Sequence, residues 1–226
     1  MTTDTEKGRA EDWLDAAYTL LIQSGVDAVK ILPLAKVLNT SRTSFYWFFK
    51  DRDALLDHLI ERWKAKNTDG LVNQTERYAG SVVEAMLNVF DCWLDQGMFD
   101  SELEYAVRHW AMQSAKVAEA VAAADETRLK ALTNMLLHFN YPAHEAGVRA
   151  RTIYLTQIGY ISMHTRETKA VRIGRMADYI QVFTGQPCQR SDLERFVARH
   201  APNLKDWLLA YDQRRVLESQ DSKLSE

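Results

Sequence analysis

The chain has 226 residues, 46% of them hydrophobic and 26% charged, a balance that excludes a disordered polymer and fits a globular core. No run approaches the roughly 18–20 apolar residues of a membrane span, and the start, Met1 to Lys7, lacks the apolar stretch of a secretion signal, so the expected location is the cytoplasm. The formal net charge of −3 excludes a uniformly basic surface but leaves room for a small basic face.

Only 9 Gly and 4 Pro interrupt the chain. Apolar residues recur at helical spacing, with no alternating strand pattern and no repeat. The predicted fold is all-α: a three-helix, homeodomain-like helix-turn-helix at the N-terminus and a larger helical domain after it. The first helix is predicted over residues 9–24. Ala10, Trp13, Leu14, Ala17, Leu20 and Leu21 form its stripe, and Gly25 stops it. A second helix covers 32–38, with Pro33 in its first turn and Asn39 as a left-handed residue after it. Thr40-Ser41 offers an N-cap for a third helix over 42–49. Asp51 or Asp53 opens a fourth helix that runs to about Lys66. Its core face is Leu55, Leu56, Leu59, Ile60 and Trp63, and Asn67-Thr68-Asp69-Gly70 reads as a break. Further helices are predicted at 74–96, 100–112, 115–139, 143–166, 169–184, 190–200 and 203–217. The expected division is 1–52 helix-turn-helix, 53–70 connecting helix, 71–218 helical domain and 219–226 polar tail.

Between Ala28 and Lys50 the charged residues are Lys30, Lys36, Arg42 and Lys50, with no acid among them. Acids flank the stretch: Glu11, Asp12 and Asp15 before it, Asp51, Asp53 and Asp57 after it. At about 100° per residue, helix 42–49 places Arg42, Thr43, Tyr46 and Trp47 on one arc and Phe45, Phe48 and Phe49 on the other. A plain aromatic core accounts for Phe45 and Phe49. It does not account for Arg42, Tyr46 and Trp47 on a common outer arc. The outer arc suits a major groove. Arg42 offers a bidentate pair to guanine, and Thr43 and Tyr46 can meet thymine methyls or base edges. Ser44, Trp47 and Lys50 are placed for phosphates, which set register rather than sequence. Arg52, near the start of the next helix, is expected to hold a further phosphate.

The segment from Leu34 to Leu56 resembles the TetR family of regulators, whose pattern reads roughly A-x-x-x-G-V-S-x-x-T-L-Y-x-H-F-x-x-K-x-x-L. This chain has Ala35, Ser41, Ser44 for Thr, Phe45 for Leu, Tyr46, Phe49, Arg52 for Lys, and Leu55. The likeness covers residues 9–66; Tyr46-Trp47 and Ala54-Leu55-Leu56-Asp57 look like the founding member. Three positions depart: Asn39 stands for the turn glycine, Phe48 for a histidine, and Lys30-Ile31-Leu32-Pro33 for the usual Thr/Ser cap. The resemblance implies base contacts from Arg42, Thr43 and Tyr46 and backbone contacts from Ser44, Trp47, Lys50 and Arg52. It implies a homodimer built on helices 143–166 and 169–184, through Gly147, Ala150, Tyr154, Ile158, Ile161, Ile173, Ala177 and Ile180. The alternative for these residues is the protomer's own core. It also implies a small-molecule effector pocket, with Phe90, Trp93, Tyr105, His109, Trp110, Gln113, Gln157, Tyr160 and His164 as candidates.

The function expected is a sequence-specific, DNA-binding transcriptional regulator, a repressor released by an effector. The competing reading is a helical ligand-binding or interaction protein with a weakened DNA-binding head, which Phe48 and the acidic total charge keep open. An enzyme is not expected: there is no nucleophile–base–orienter group, no phosphate loop and no HExxH. No cofactor is implied. His138, His144, Glu145 and His164 do not form a metal set, and Cys92 and Cys188 make no CxxC.

Overall fold

The computed structural model describes residues 4–165 and 167–200. Among them are helices and turns and no strand. The helix predicted at 203–217 and the polar tail lie outside the described residues. The chain forms two compact units. One takes residues up to Asn73 together with Asp95–Ala131, the other Gln74–Leu94 together with residues from Leu132 onward. This division is not the linear one expected, because the stretch from Asp95 packs back on the N-terminal helices.

In the first unit, α1 (Asp4–Ser24) buries Trp13, Leu14, Ala17 and Leu21. Gly25 ends it at φ 78°, a conformation that costs glycine nothing. A single 3-10 turn, Val26–Ala28, leads to α2 (Ile31–Val37), which buries Leu34 and Ala35. Asn39 adopts φ 50°, so it serves as the left-handed turn residue in place of glycine. Then come α3 (Arg42–Phe45) and α4 (Arg52–Trp63), capped by Ser41 and Asp51. The Asp51 carboxylate accepts from Ala54 N at 2.8 Å. The predicted core face of α4, Leu55, Leu56, Leu59, Ile60 and Trp63, is buried throughout.

The break expected at Asn67–Gly70 does not occur. A wide π turn, Lys64–Thr68, joins α4 directly to α5 (Asp69–Glu76). Asn67 and Thr68 are buried, and Asn67 faces the start of α7 (Ser101–Ala111) instead of water. Asn67, fully buried, donates to Asp100 O at 3.0 Å and to Glu104 Oε2 at 2.9 Å, and accepts from Asp100 N at 2.9 Å. Gly70 sits so close to the Met98 carbonyl that a Cβ there would lie 2.2 Å from its oxygen. Glu104 is the centre of the network. It receives Arg128 Nη1 and Trp63 Nε1 at 2.7 Å each and Arg108 Nε at 2.9 Å. Burial pushes its carboxyl up, but Arg128, Arg108 and Asn67 outweigh burial and hold it below the ordinary range. The Arg128 guanidinium, itself fully buried, lies over the Trp63 and Phe99 rings.

In the second unit, α6 (Val82–Leu94) starts later than expected. Ser81 Oγ accepts from Glu84 N at 3.2 Å, and Glu84 Oε2 accepts from Gly80 N at 2.8 Å, a reciprocal cap of the S-x-x-E kind. The helix α8 (Ala115–His138) runs into this unit. It is followed by α9 (Ala143–Ser162), α10 (Lys169–Gly174), α11 (Met176–Thr184) and α12 (Arg190–His200). The single helix predicted at 169–184 is thus two, parted at Arg175. Buried Asp91 on α6 is held by Arg77, Arg199 and His200. Cys92 and Cys188 are both buried and form no disulfide.

Candidate nucleic-acid interface

The segment 41–50 is built outward from two phenylalanines. Phe45 is fully buried, edge-on to Trp13 with ring centroids 5.2 Å apart and stacked on Phe49 at 5.4 Å. Phe49 in turn meets the His58 ring of α4. These contacts fix which side of α3 faces out. Arg42, Thr43 and Lys50 are exposed, Tyr46 is 46% exposed and Trp47 72%. Phe48 is half-buried. Regular α-helix covers only Arg42–Phe45, shorter than the predicted 42–49. Beyond it Tyr46, Trp47 and Phe48 donate to Thr43, Ser44 and Phe45 at 3.0–3.3 Å, the tighter i→i+3 pattern. The outer arc survives this tightening. Arg42 Nη2 donates to Tyr46 Oη at 3.2 Å.

Two residues expected at phosphates are turned to structural work. Ser44 Oγ donates to Ser41 O at 2.7 Å and lies 2.9 Å from Thr40 Oγ1, so its only proton is committed to the turn. Arg52 Nε and Nη2 donate to the carbonyls of Val29 at 2.5 Å and Val26 at 2.7 Å. Its guanidinium clamps the 3-10 turn before α2. Conversely Lys30 and Lys36, basic residues left off the expected contact set, are both exposed. Their signal was the absence of acids from 28–50.

Residues 14–59 match the family model for bacterial regulatory proteins of the tetR family. They thus carry a domain of the tetR family. The match runs from within α1 through most of α4. A crystal structure described as a TetR-family transcriptional regulator from Mesorhizobium loti MAFF303099 shares the fold. Its TM-score is 0.56 at 13% identity, over 87% of this chain and 98% of its own. No curated protein matches the chain. The match supports a DNA-binding transcriptional regulator. No helix among the described residues is long and apolar enough to cross a membrane. No group of three His, Cys, Asp or Glu among them could hold a metal.

The expected pocket residues separate between the two units. Phe90, Trp93, Gln157 and Tyr160 line a narrow cavity of about 30 Å³ in the second unit. Tyr105, His109, Trp110 and Gln113 belong to the first unit, where Tyr105 stacks on His109 and Trp110 joins the core. His164 is exposed at φ 48° and does not line the cavity. The cavity also takes Arg172, Met176, Tyr179 and Phe183, which sequence reasoning did not assign to it.

Most of the expected dimer residues lie inside the protomer. Ala150, Tyr154, Ile161, Ile173, Ala177 and Ile180 are buried inside their own unit, and only Gly147 and Ile158 are partly exposed. Periodicity finds an apolar stripe but cannot say which partner buries it. The outer sides of α9 and α11 carry other apolar residues: Val148 at 52%, Leu155 at 59% and Val182 at 68% exposure. Gly147 and Gly159 have open space where a Cβ would be.

Proposed function

We propose that this tetR-family regulator works in the cytoplasm as a homodimeric repressor that leaves its operator when a small molecule enters the cavity of the second unit. The observation that carries the reading is the exposed arc of Arg42, Thr43, Tyr46 and Trp47 over buried Phe45 and Phe49, in a stretch without acids. Arg42, Thr43 and Tyr46 read base edges. Trp47 and Lys50 bind phosphates, joined by Lys30 and Lys36, while Ser44 and Arg52 hold the geometry. One such head makes few contacts, and two heads on half-sites about 34–36 Å apart make a specific site. Val148, Leu155 and Val182 supply an apolar surface for the second copy. The chain acts by binding, with no catalytic step.

A fluorescence titration with the DNA upstream of the chain's own gene tests this reading. Affinity falls steeply with salt, by a log–log slope of about −0.9 per phosphate neutralised. Arg42→Ala binds with relaxed sequence preference. Equal binding of the parent and Arg42→Ala to every sequence overturns the assignment of α3.

A further inference from the structure

The cavity of the second unit has walls of one chemical character and polar groups of another. Phe90, Phe183 and Tyr179 form an aromatic side, Phe183 stacking on Tyr179 with centroids 5.4 Å apart. Ile153, Leu94 and Met176 complete the apolar lining. The polar groups include two unsatisfied donors. Trp93, 5% exposed, holds a buried Nε1 without a hydrogen-bond partner, and Gln157, 4% exposed, a buried Nε2 without one. The Gln157 amide is oriented by Arg172, whose Nη2 donates to Oε1 at 3.4 Å, so it is the NH₂ that remains open. An unpaired buried donor is costly and rare in a native fold.

Arg172 adds a charge to this set. Its guanidinium lies 5.5 Å from the centre of the Tyr160 ring, and among the described residues no carboxylate pairs with it. Glu167, the acid that acts on it through space, gives its Oε1 to Arg175 at 2.7 Å. No Asp or Glu lines the cavity. Burial pulls the Arg172 guanidinium below its ordinary value, a sign of lost water.

We propose that this cavity takes a small organic monocarboxylate, its charge against Arg172 and its oxygens toward Trp93 Nε1 and Gln157 Nε2. The proposal rests on the reading of the cavity as the effector site and supplies its ligand class. A carboxylate is acceptor-only, and a guanidinium with two N–H donors offers it the charge-assisted bonds that a neutral amide cannot fully match. The small volume holds the headgroup and little more without movement of the walls. The acid is therefore a short-chain or single-ring one, its apolar part toward the aromatic side.

The test uses the full chain with butyrate, benzoate and phenylacetate, each against its own amide at equal ionic strength. Calorimetry and thermal melting read binding. At least one acid binds and raises the melting temperature, and its amide binds at least tenfold more weakly. Arg172→Gln weakens that acid at least tenfold. Trp93→Phe, which keeps the ring and removes one donor, weakens it several-fold and serves should Arg172→Gln fail to fold. Three acids without binding, acid and amide binding alike, or variants that bind like the parent would overturn the proposal. DNA binding is measured in the same samples. An acid that binds without releasing DNA leaves the ligand class standing and removes effector release. Intact DNA binding with no acid bound removes the ligand class alone.

Discussion

Arg42 Nη2 donates to Tyr46 Oη at 3.2 Å, from the first residue of α3 to the residue just past its end. The phenol oxygen accepts that bond, so its own proton stays available outward. The pair pre-orders two long side chains before DNA arrives. Arg42→Ala is expected to cost about 1–3 kcal/mol of discrimination at one base per half-site. Tyr46→Phe removes the anchor but not the guanidinium, and costs less. Titration against the operator and its single-base variants measures both.

Lys50 and Arg52 are two residues apart and differently placed. Lys50 is exposed, and Lys50→Ala is expected to weaken all sequences alike and lower the salt slope by about 1. Arg52→Ala strips the charged donors from the carbonyls of Val26 and Val29. Its expected effect is on folding, about 1.5–3 kcal/mol per bond lost. Urea unfolding shows it, and the salt slope of the remaining folded protein stays that of the parent.

Glu104 makes stability depend on acid. Its carboxyl lies below the ordinary value of 4.5 because Arg128, Arg108 and Asn67 outweigh burial. The folded chain therefore binds this proton less readily than the unfolded chain does. The stabilisation is complete above about pH 4.5 and is lost as pH falls through the lowered folded value. Glu104→Gln leaves buried Arg128 without its counter-charge, at a cost of about 3–5 kcal/mol at pH 7. Its unfolding free energy also changes less between pH 6 and 3 than the parent's, as urea melts at both values measure.

Leu155 faces solvent on α9, with Val148 two turns before it. Leu155→Glu is expected to leave the fold intact and to abolish dimerisation, and with it tight operator binding. Sedimentation velocity reads the first effect and DNA titration the second. Ala150→Glu, on the buried side, is expected to unfold the unit instead.

The N-terminal helices were legible because each of their signals is local. Trp13, Leu14, Ala17 and Leu21 recur at helical spacing, Asn39 and Gly25 tolerate positive φ, and Ser41 and Asp51 cap the helices they precede. The start of α6 was missed: Ser81 and Glu84 signal it, but the predicted helix ran through them from residue 74. Asn67 and Gly70 were not legible as helix, since their partners Asp100, Glu104 and Met98 lie some thirty residues on. Ser44 and Arg52 lay in the right motif, but only coordinates show their donors already committed to backbone carbonyls. Arg172 stands alone in a short helix, and nothing periodic marks it as a cavity residue.

The π turn at Lys64–Thr68 gives chain length a meaning at a place that reads as a permissive spacer. Each helical residue advances the direction of the next by about 100°. Deleting one residue there, or inserting one, would swing Asn67 and Gly70 away from Asp100 and Met98 while leaving every apolar side chain of α4 in place. Relatives that differ by a single residue at this spot must have rebuilt what lies against it.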